Sequence, residues 1–264
     1  MKKFSKNKNF LAILPACIFI IGWEIFARST WINPVLFPAP TQTVIKLVNL
    51  FKKGLPVRSE LITHILSTLK RLTLGFLLGV TSGILFGTMM GLSNLMYYFF
   101  NPFISILMPI PGIALAPLFI IWFGFGDPTI ITLGALSTFF PIVYSTSAGI
   151  RSVDRQMIRA AQTMGANPLQ IIYEVYIPWS AAYIFNGVKL GLARGWMTII
   201  AVEFVAASNW GLGYMIWNAT EYLQADTVYG GILVMILIFI LLEKTLVSGL
   251  EQKTVAKWGM ITQK

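Results

Sequence analysis

The sequence predicts an all-α membrane protein that crosses the bilayer six times. Of its 264 residues, 56% are hydrophobic and only 11% are charged, which is typical of a polytopic membrane protein and not of a soluble domain. The formal net charge is +10, but the basic residues gather at the membrane flanks, which favours the positive-inside rule over nucleic-acid binding. A single Cys17 and a single His64 exclude an internal disulfide, a cysteine-based metal cage and a histidine cluster.

Residues 1–63 are predicted to form the first transmembrane helix and an amphipathic segment on the outer surface. A basic start precedes the apolar run 10–27, and this run continues well beyond Cys17. It is therefore interpreted as a retained span and not as a cleaved signal peptide, with the amino terminus in the cytoplasm. The apolar stripe between Val44 and Phe51, set beside lysines, predicts a short amphipathic helix.

The second, third and fourth spans are predicted at about 65–91, 101–123 and 129–150. The second span has glycines at every fourth position, which lets another helix approach one face closely, and packing within the subunit is favoured over a sliding surface. These glycines are Gly75, Gly79, Gly83, Gly87 and Gly91. The third span is interrupted by Pro102, Pro109, Pro111 and Pro117. A helix broken in this way is tolerated where it lines a water-filled cavity, so the third span is a candidate for a transport path.

The fifth span, about 181–207, holds charged residues, and charges inside a span are functional candidates by default. Glu203 lies nine residues after Arg194, about 13 Å along a helix axis, so the two cannot pair within that helix. Arg194 therefore either faces a cavity through which an anion passes or pairs with another helix. The candidates for the translocation path are Met108, Pro109, Pro111, Arg194 and Glu203. Residues 209–214 are expected to form a re-entrant or gate segment before the sixth span at about 228–249.

The longest interruption of the apolar second half, residues 154–178, predicts two short helices joined by a break and is called the elbow here. Asp154 is suited to cap the first helix, and Gly165 to end it in a left-handed conformation. Asn167 is suited to cap a second helix that starts at Pro168, and Pro178 is expected to close the unit. Because the elbow follows a span and carries arginines, it is interpreted as a cytoplasmic docking loop.

The elbow resembles a known loop. Arg159-Ala160-Ala161, Gly165 and Val175-x-Ile177-Pro178 match the spacing of the "EAA" loop of bacterial ABC importer permeases, whose pattern is Glu-Ala-Ala, three residues, Gly, nine residues and Ile-x-Leu-Pro. The departure is Arg159, where the pattern has Glu. The stretches 109–126 and 209–214 are similar to the nitrate, sulfonate and taurine branch of the same family.

This resemblance implies the type I ABC importer permease (MetI-like) fold, with a core permease domain over 64–253 and a cytoplasmic tail over 254–264. It also implies that residues 151–180 form the coupling loop. The coupling residues would be Asp154, Arg155, Arg159, Ala160, Ala161, Gly165, Ala166, Pro168, Ile177 and Pro178. The implied assembly is a homodimer with ABC ATPase subunits and an extracytoplasmic substrate-binding protein. The expected substrate is a small anion of the sulfonate, taurine or nitrate class, and a neutral vitamin or pyrimidine-type precursor stays open.

The sequence lacks the residues that several kinds of chemistry require. No GxxxxGK[ST] phosphate-binding loop occurs, so ATP is expected on a partner subunit and no cofactor on this chain. No set of nucleophile, histidine and carboxylate exists either, and we expect neither an enzyme nor a metal site. An ion-coupled secondary transporter is the alternative of a different class, but it would need coupling carboxylates or histidines in its spans, where only Glu24 and Glu203 are available.

Overall fold

The computed structural model describes residues 3–29, 33, 35–53 and 60–248, and these residues form helices and turns without a strand. The α-helices are α1 Lys3–Ala27, α2 Pro40–Lys52, α3 Glu60–Leu92, α4 Asn94–Leu107, α5 Ala116–Phe123, α6 Asp127–Arg151, α7 Arg155–Thr163, α8 Pro168–Ile171, α9 Ile177–Ala206, α10 Leu212–Glu221 and α11 Ala225–Leu242. A 3-10 turn covers Gly112–Leu115, and π-helical segments cover Ile172–Tyr176 and Glu243–Ser248.

The predicted spans correspond to α1, α3, the pair α4 and α5, α6, α9 and α11. Within the described part of the chain, α3, α6 and α11 are long and apolar enough to cross a bilayer, and the bent pair would count as a fourth span. The 30-residue α9 has sufficient length, but its charged residues lower its hydropathy. Residues 254–264, predicted as a cytoplasmic tail, lie outside the described residues.

The centre of the fold is α6, with α3 packed on one side and α9 on another. A Cβ added at Gly79 of α3 would lie 2.6 Å from the Cβ of Thr138 and 2.7 Å from the carbonyl oxygen of Ala135. The glycines of α3 therefore bring the two backbones together, which confirms the predicted packing within the subunit. The α9 helix uses a second run of glycines, Gly187, Gly191 and Gly195, against the same helix α6.

The third span is broken, as the sequence predicted, and consists of two helices bent by 93°. The first of them, α4, starts earlier than expected, at Asn94, because the side chain of Ser93 caps it. Pro102 lies inside α4 without ending it. The break falls at residues 108–111, where two prolines alternate with other residues, and Pro117 then takes a first-turn position of α5, where no backbone donor is needed.

The amino-terminal part packs along one edge of this centre. The predicted amphipathic helix is confirmed as α2, and Lys46 on it pairs with Asp226 at the start of α11 at 3.3 Å. Glu24 of α1 accepts a hydrogen bond from the backbone N–H of Thr41 at 3.1 Å. These contacts attach α1 and α11 to the first turns of α2.

Residues 209–214, expected to be a re-entrant or gate segment, form a turn that starts at the exposed Asn209 and Trp210 and runs directly into α10. Gly211 caps α10 with a φ of +153°, and Leu212 and Gly213 are buried. The carbonyl of Trp210 and the N–H groups of Leu212 and Gly213 bond side chains of α3 and α9, which attaches the turn to these two helices. Its role as a re-entrant or gate segment stays a prediction.

Candidate functional site

The elbow begins as the sequence predicted. The carboxylate of Asp154 accepts a hydrogen bond from the backbone N–H of Gln156 at 2.8 Å and so caps α7. Val153 just before it is buried. The start of α7 is therefore fixed relative to the end of α6.

The end of α7 is a complete Schellman motif. Gly165 has a φ of +82°, its N–H donates to the carbonyl of Gln162 at 3.0 Å, and the N–H of Ala166 donates to the carbonyl of Ala161 at 3.0 Å. This pair of bonds satisfies the last carbonyls of the helix, and a residue in the left-handed region is what allows it. The left-handed conformation predicted for Gly165 is confirmed.

A capping box starts α8. The side chain of Asn167 accepts from the N–H of Gln170 at 2.9 Å, and the side chain of Gln170 accepts from the N–H of Asn167 at 2.8 Å. Pro168 takes the first helical position, as predicted. The prediction that Pro178 closes the unit is wrong, because the chain stays helical from α8 through Ile172–Tyr176 into α9. Pro178 is tolerated since it lies in the first turn of α9.

The predicted coupling residues divide into an inner and an outer set. Ala161 is buried, and Ala166, Ile177 and Pro178 are half-buried. The outer set is exposed and consists of Asp154, Arg155, Arg159, Ala160, Gly165 and Pro168. The two alanines that lie side by side in the sequence therefore differ in burial, with Ala161 against the protein and Ala160 exposed.

Two polar contacts join the helices on either side of the elbow to each other and to α4. The indole N–H of Trp179, at the start of α9, donates to the hydroxyl of Ser152 at 3.2 Å. Arg151, the last residue of α6, donates to the side-chain oxygen of Asn94 at 2.9 Å, and its guanidinium lies 4.0 Å from the ring centre of Tyr97. The end of α6 is thus attached to the starts of both α4 and α9.

A cavity of about 350 Å³ opens where the third span breaks, which is within the size range of small-molecule sites. Met108, Pro109, Pro111 and Arg194 line it, so the structure brings together four of the five residues predicted for the translocation path. The guanidinium of Arg194 donates to the carbonyl of Met108, the C-cap residue just after α4, at 2.6 Å. That carbonyl has lost its helical partner at the break, which explains why a strong donor sits there.

The cavity wall is largely apolar and has one charge among the described residues, the half-buried Arg194. Its remaining polar side chains are the hydroxyls of Ser137 and Thr198, which bond each other at 2.9 Å. Gly112 approaches both of them so closely that a Cβ there would lie 2.7 Å from the oxygen of Ser137. A guanidinium within an apolar wall is an arrangement that attracts one small anion.

Glu203, the fifth predicted path residue, does not line this cavity. Its side chain is fully buried and accepts hydrogen bonds from the guanidinium of Arg71 at 2.7 Å, from the hydroxyl of Thr68 at 2.9 Å and from the N–H of Gly213 at 2.9 Å. Donors from α3 and α10 thus bond both oxygens of the carboxylate within the protein.

Arg71 is the centre of this second cluster, and the sequence analysis missed it. Besides Glu203, Arg71 binds the carboxylate of Asp127 at 2.7 Å and the carbonyl of Trp210 at 2.6 Å, while only 5% of its surface is exposed. Asp127 also pairs with the exposed Lys70 at 2.9 Å. The available signal was an arginine inside a predicted span, which the rule already applied to Arg194 would have singled out.

The turn before α10 completes the cluster. His64 Nδ1 lies 2.8 Å from the carbonyl oxygen of Gly211, and the N–H of Leu212 donates to the hydroxyl of Thr68 at 2.8 Å. A Cβ at Gly211 would fall 2.6 Å from the carboxylate carbon of Glu203 and 2.7 Å from a guanidinium nitrogen of Arg71. Only glycine fits there. In the described part of the chain, no group of three or more potential metal-binding side chains occurs.

Residues 79–248, more than half of the chain, match the family described as "Binding-protein-dependent transport system inner membrane component". The chain belongs to this family. The match covers the cavity, the elbow and Glu203, whereas α1, α2 and Arg71 precede it.

This transport permease is similar to several curated proteins over most of its length. It is 36% identical to the taurine transport system permease protein TauC of Escherichia coli, covering 88% of this chain and 84% of that protein. It is 32% identical to the putative aliphatic sulfonates transport permease protein SsuC of Bacillus subtilis, covering 97% of this chain and 89% of that protein. The formylaminopyrimidine transport permease protein ThiX of Halalkalibacterium halodurans is 29% identical, with 89% and 92% covered.

Family membership makes the chain a membrane-embedded transport subunit, as the sequence motifs predicted. It also agrees with the predicted all-α polytopic architecture and with a place in the inner membrane. The transported substrate, the partner subunits and the direction in which the amino terminus faces belong to the proposal that follows.

Proposed function

We propose that this permease forms the translocation path of an ATP-driven ABC importer for a small sulfonate-class anion. The observation that carries the proposal is the guanidinium of Arg194, the one charged group of the described residues that lines the cavity at the broken third span. Arginine binds planar or multi-oxygen anions through several donors at once. The named substrates of two relatives, taurine and aliphatic sulfonates, carry an anionic group of this kind.

The contact between Arg194 and Met108 supports a role in transport and not in packing alone. The guanidinium has five N–H donors, and one nitrogen is engaged by the carbonyl of Met108. Arg194 lines the cavity and makes no other hydrogen bond among the described residues, and the other polar side chains of the cavity are two hydroxyls bonded to each other. An anion entering the cavity would meet unused donors next to the break between α4 and α5.

The elbow supports the ATP-driven part of the proposal. We infer that residues 151–180 dock on a separate ATPase subunit in the cytoplasm, which places the amino terminus on the same side. The first helix of the elbow follows directly on α6, and its second helix continues into α9. A rotation of the elbow would therefore be passed to both helices that flank the cavity. Two copies of the chain and a substrate-binding protein on the outer face complete the proposed importer.

The test uses the whole importer: the permease with the ATPase and the binding protein encoded beside it, reconstituted in liposomes. We expect a sulfonate-loaded binding protein to stimulate ATP hydrolysis and uptake. Arg194→Met should lower uptake by roughly 10-fold to 100-fold, because a hydrogen bond to a charged group contributes about 1.5–3 kcal/mol. Arg194→Lys keeps the charge and should retain most of the uptake.

The control measurement is the assembly of each variant with its ATPase, which gel filtration of the complex reports. Unchanged uptake by Arg194→Met would return Arg194 to a structural role at the end of α4. Uptake driven by an ion gradient without any bound ATPase would contradict the importer itself and favour a secondary transporter.

A neutral pyrimidine-type substrate is the second candidate. It is supported by the largely apolar wall of the cavity and by the similarity to the formylaminopyrimidine permease. The two candidates are distinguished by which loaded binding protein stimulates the ATPase and by the response to Arg194→Met. Uptake of a neutral substrate is expected to tolerate this loss of charge.

A further inference from the structure

Two exposed arginines on the first helix of the elbow have no ion-pair partner among the described residues. Arg155 and Arg159 lie one turn apart on α7, and both side chains are exposed. The ion pairs of the described residues involve other basic side chains: Arg28, Lys46, Lys53, Lys70 and Arg71. Arg155 and Arg159 are called the arginine edge below.

The carboxylates nearest in sequence do not neutralise the arginine edge. Asp154 uses its carboxylate to cap α7 through the N–H of Gln156. Glu174, the other acidic residue of the elbow, is exposed on the π-helical segment and makes no ion pair within the described residues. The arginine edge therefore presents two uncompensated positive charges to whatever lies against it.

The outer surface of α7 has a defined layout. With 3.6 residues per turn, the buried Ala161 marks the inner side, and the exposed residues Arg159 and Thr163 lie almost directly opposite it, with Gln156 beside them. Arg155 extends this outer side toward one flank, while Ala160 and Met164 lie on the other flank. Met164 is 81% exposed, so the surface combines charge, a small residue and an apolar contact.

This surface is held rigid before any partner binds. The cap at Asp154, the Schellman motif at Gly165 and the capping box at Asn167 fix both helices of the elbow. A surface that is already ordered loses little conformational entropy on association, which favours a specific protein partner.

We propose that the arginine edge binds carboxylates in the cleft of the ATPase partner and so selects that partner by charge. The inference rests on the proposed function, since it assumes that an ATPase docks at the elbow. The loop pattern that the elbow resembles has Glu at the position of Arg159. An ATPase cleft suited to that glutamate would meet the opposite charge here, so the cleft of the cognate partner must carry acidic side chains instead.

A partner protein fits this surface better than an anionic membrane does. A helix that lies on a bilayer turns its apolar side to the lipid and its basic residues to the interface. In α7 the inner side, with Ala161 buried and Ile158 half-buried, already faces the protein, and the side opposite is polar. The side that a lipid surface would meet first consists of Gln156, Arg159 and Thr163, and it offers no apolar face to insert.

The experiment measures the affinity of the purified ATPase for the permease in nanodiscs of zwitterionic lipid at several salt concentrations. Charge reversal by Arg159→Glu should weaken binding by about tenfold or more, because like charges across an interface cost several-fold in affinity each. Arg159→Gln should weaken it a few-fold, and Arg159→Lys should keep most of it. All these differences should shrink at high salt. The control is Lys52→Glu, the same charge change at an exposed residue of α2.

A second step names the partner residue. Arg159→Cys is cross-linked to single-cysteine variants of the ATPase, and the carboxylate found nearby is changed to Lys, which should restore the binding of Arg159→Glu. Equal affinity and equal salt dependence for wild type and Arg159→Glu would overturn the inference. An effect that appears only with anionic lipid would overturn it in favour of a membrane contact. Absence of ATPase binding by the wild type would instead contradict the proposed function.

Discussion

Gly165 shows how one residue sets the shape of the elbow. Its φ is +82°, and a Cβ added there would have no neighbour within 4 Å. A substitution is therefore opposed by the backbone alone and not by a clash. Side chains with a branched Cβ are strained in the left-handed region by about 1–2 kcal/mol, whereas Asn visits this region more readily.

We expect Gly165→Val to uncouple ATP hydrolysis from uptake while the subunit stays folded in the membrane, because the Schellman motif needs the left-handed residue. Gly165→Asn is the matched control and should retain coupling. The measurement is the number of substrate molecules taken up per ATP hydrolysed by each reconstituted variant. A wild-type ratio for Gly165→Val would show that the shape of the elbow is not what transmits the movement.

The caps of the elbow could be predicted because they depend on residues a few positions apart. Asp154, Gly165 and Asn167 each bond or bend the chain within their own turn, so the local sequence was sufficient. Arg71 and Glu203 are 132 positions apart, and no local pattern states that they meet. For that reason the sequence predicts Glu203 beside Arg194 on the same helix as a residue of the path, whereas Arg194 lines the cavity and Glu203 bonds Arg71.

At the scale of helices, the broken third span was predicted in kind but not in shape. Prolines at Pro109 and Pro111 showed that a helix could not continue. The angle of 93° between the two parts depends on tertiary contacts, namely the bond from Arg194 to Met108 and the close approach of Gly112 to α6 and α9. Hydrophobic pattern and proline positions contain no such information.

The packing of α3 on α6 gives a prediction at the same scale. Gly79→Ala places a methyl group 2.6 Å from the Cβ of Thr138 and 2.7 Å from a backbone oxygen, so the helices must separate. We expect a loss of about 1–3 kcal/mol in stability, the usual cost of overpacking, seen as a lower midpoint of thermal unfolding in detergent. Gly22→Ala on α1 is the control, since its Cβ would meet nothing within 4 Å. Equal midpoints for the two variants would contradict the close helix contact.

At the scale of the whole molecule, the Arg71 cluster joins the ends of its main helices. Arg71 from α3 contacts Asp127 at the start of α6 and Glu203 near the end of α9, and Glu203 in turn accepts from the first turn of α10. The glycines hold these helices together along their lengths, whereas the cluster fixes them at one end. The arrangement explains why two charged residues are buried in an otherwise apolar protein: each is fully paired, and neither is accessible to a substrate in the cavity.

A double-mutant cycle tests whether this pairing holds the helices together. Arg71→Met alone leaves the carboxylate of Glu203 buried without its cation, whereas after Glu203→Met the guanidinium keeps Asp127 and the carbonyl of Trp210. Arg71→Met should therefore lower stability by about 3–5 kcal/mol, as is usual when one partner of a buried pair is removed, and Glu203→Met should cost less. The double variant should lose less than the sum of the two, because no uncompensated charge remains. The midpoint of unfolding in a denaturing detergent measures all four proteins. Additive losses would mean that the two side chains stabilise the fold independently of each other.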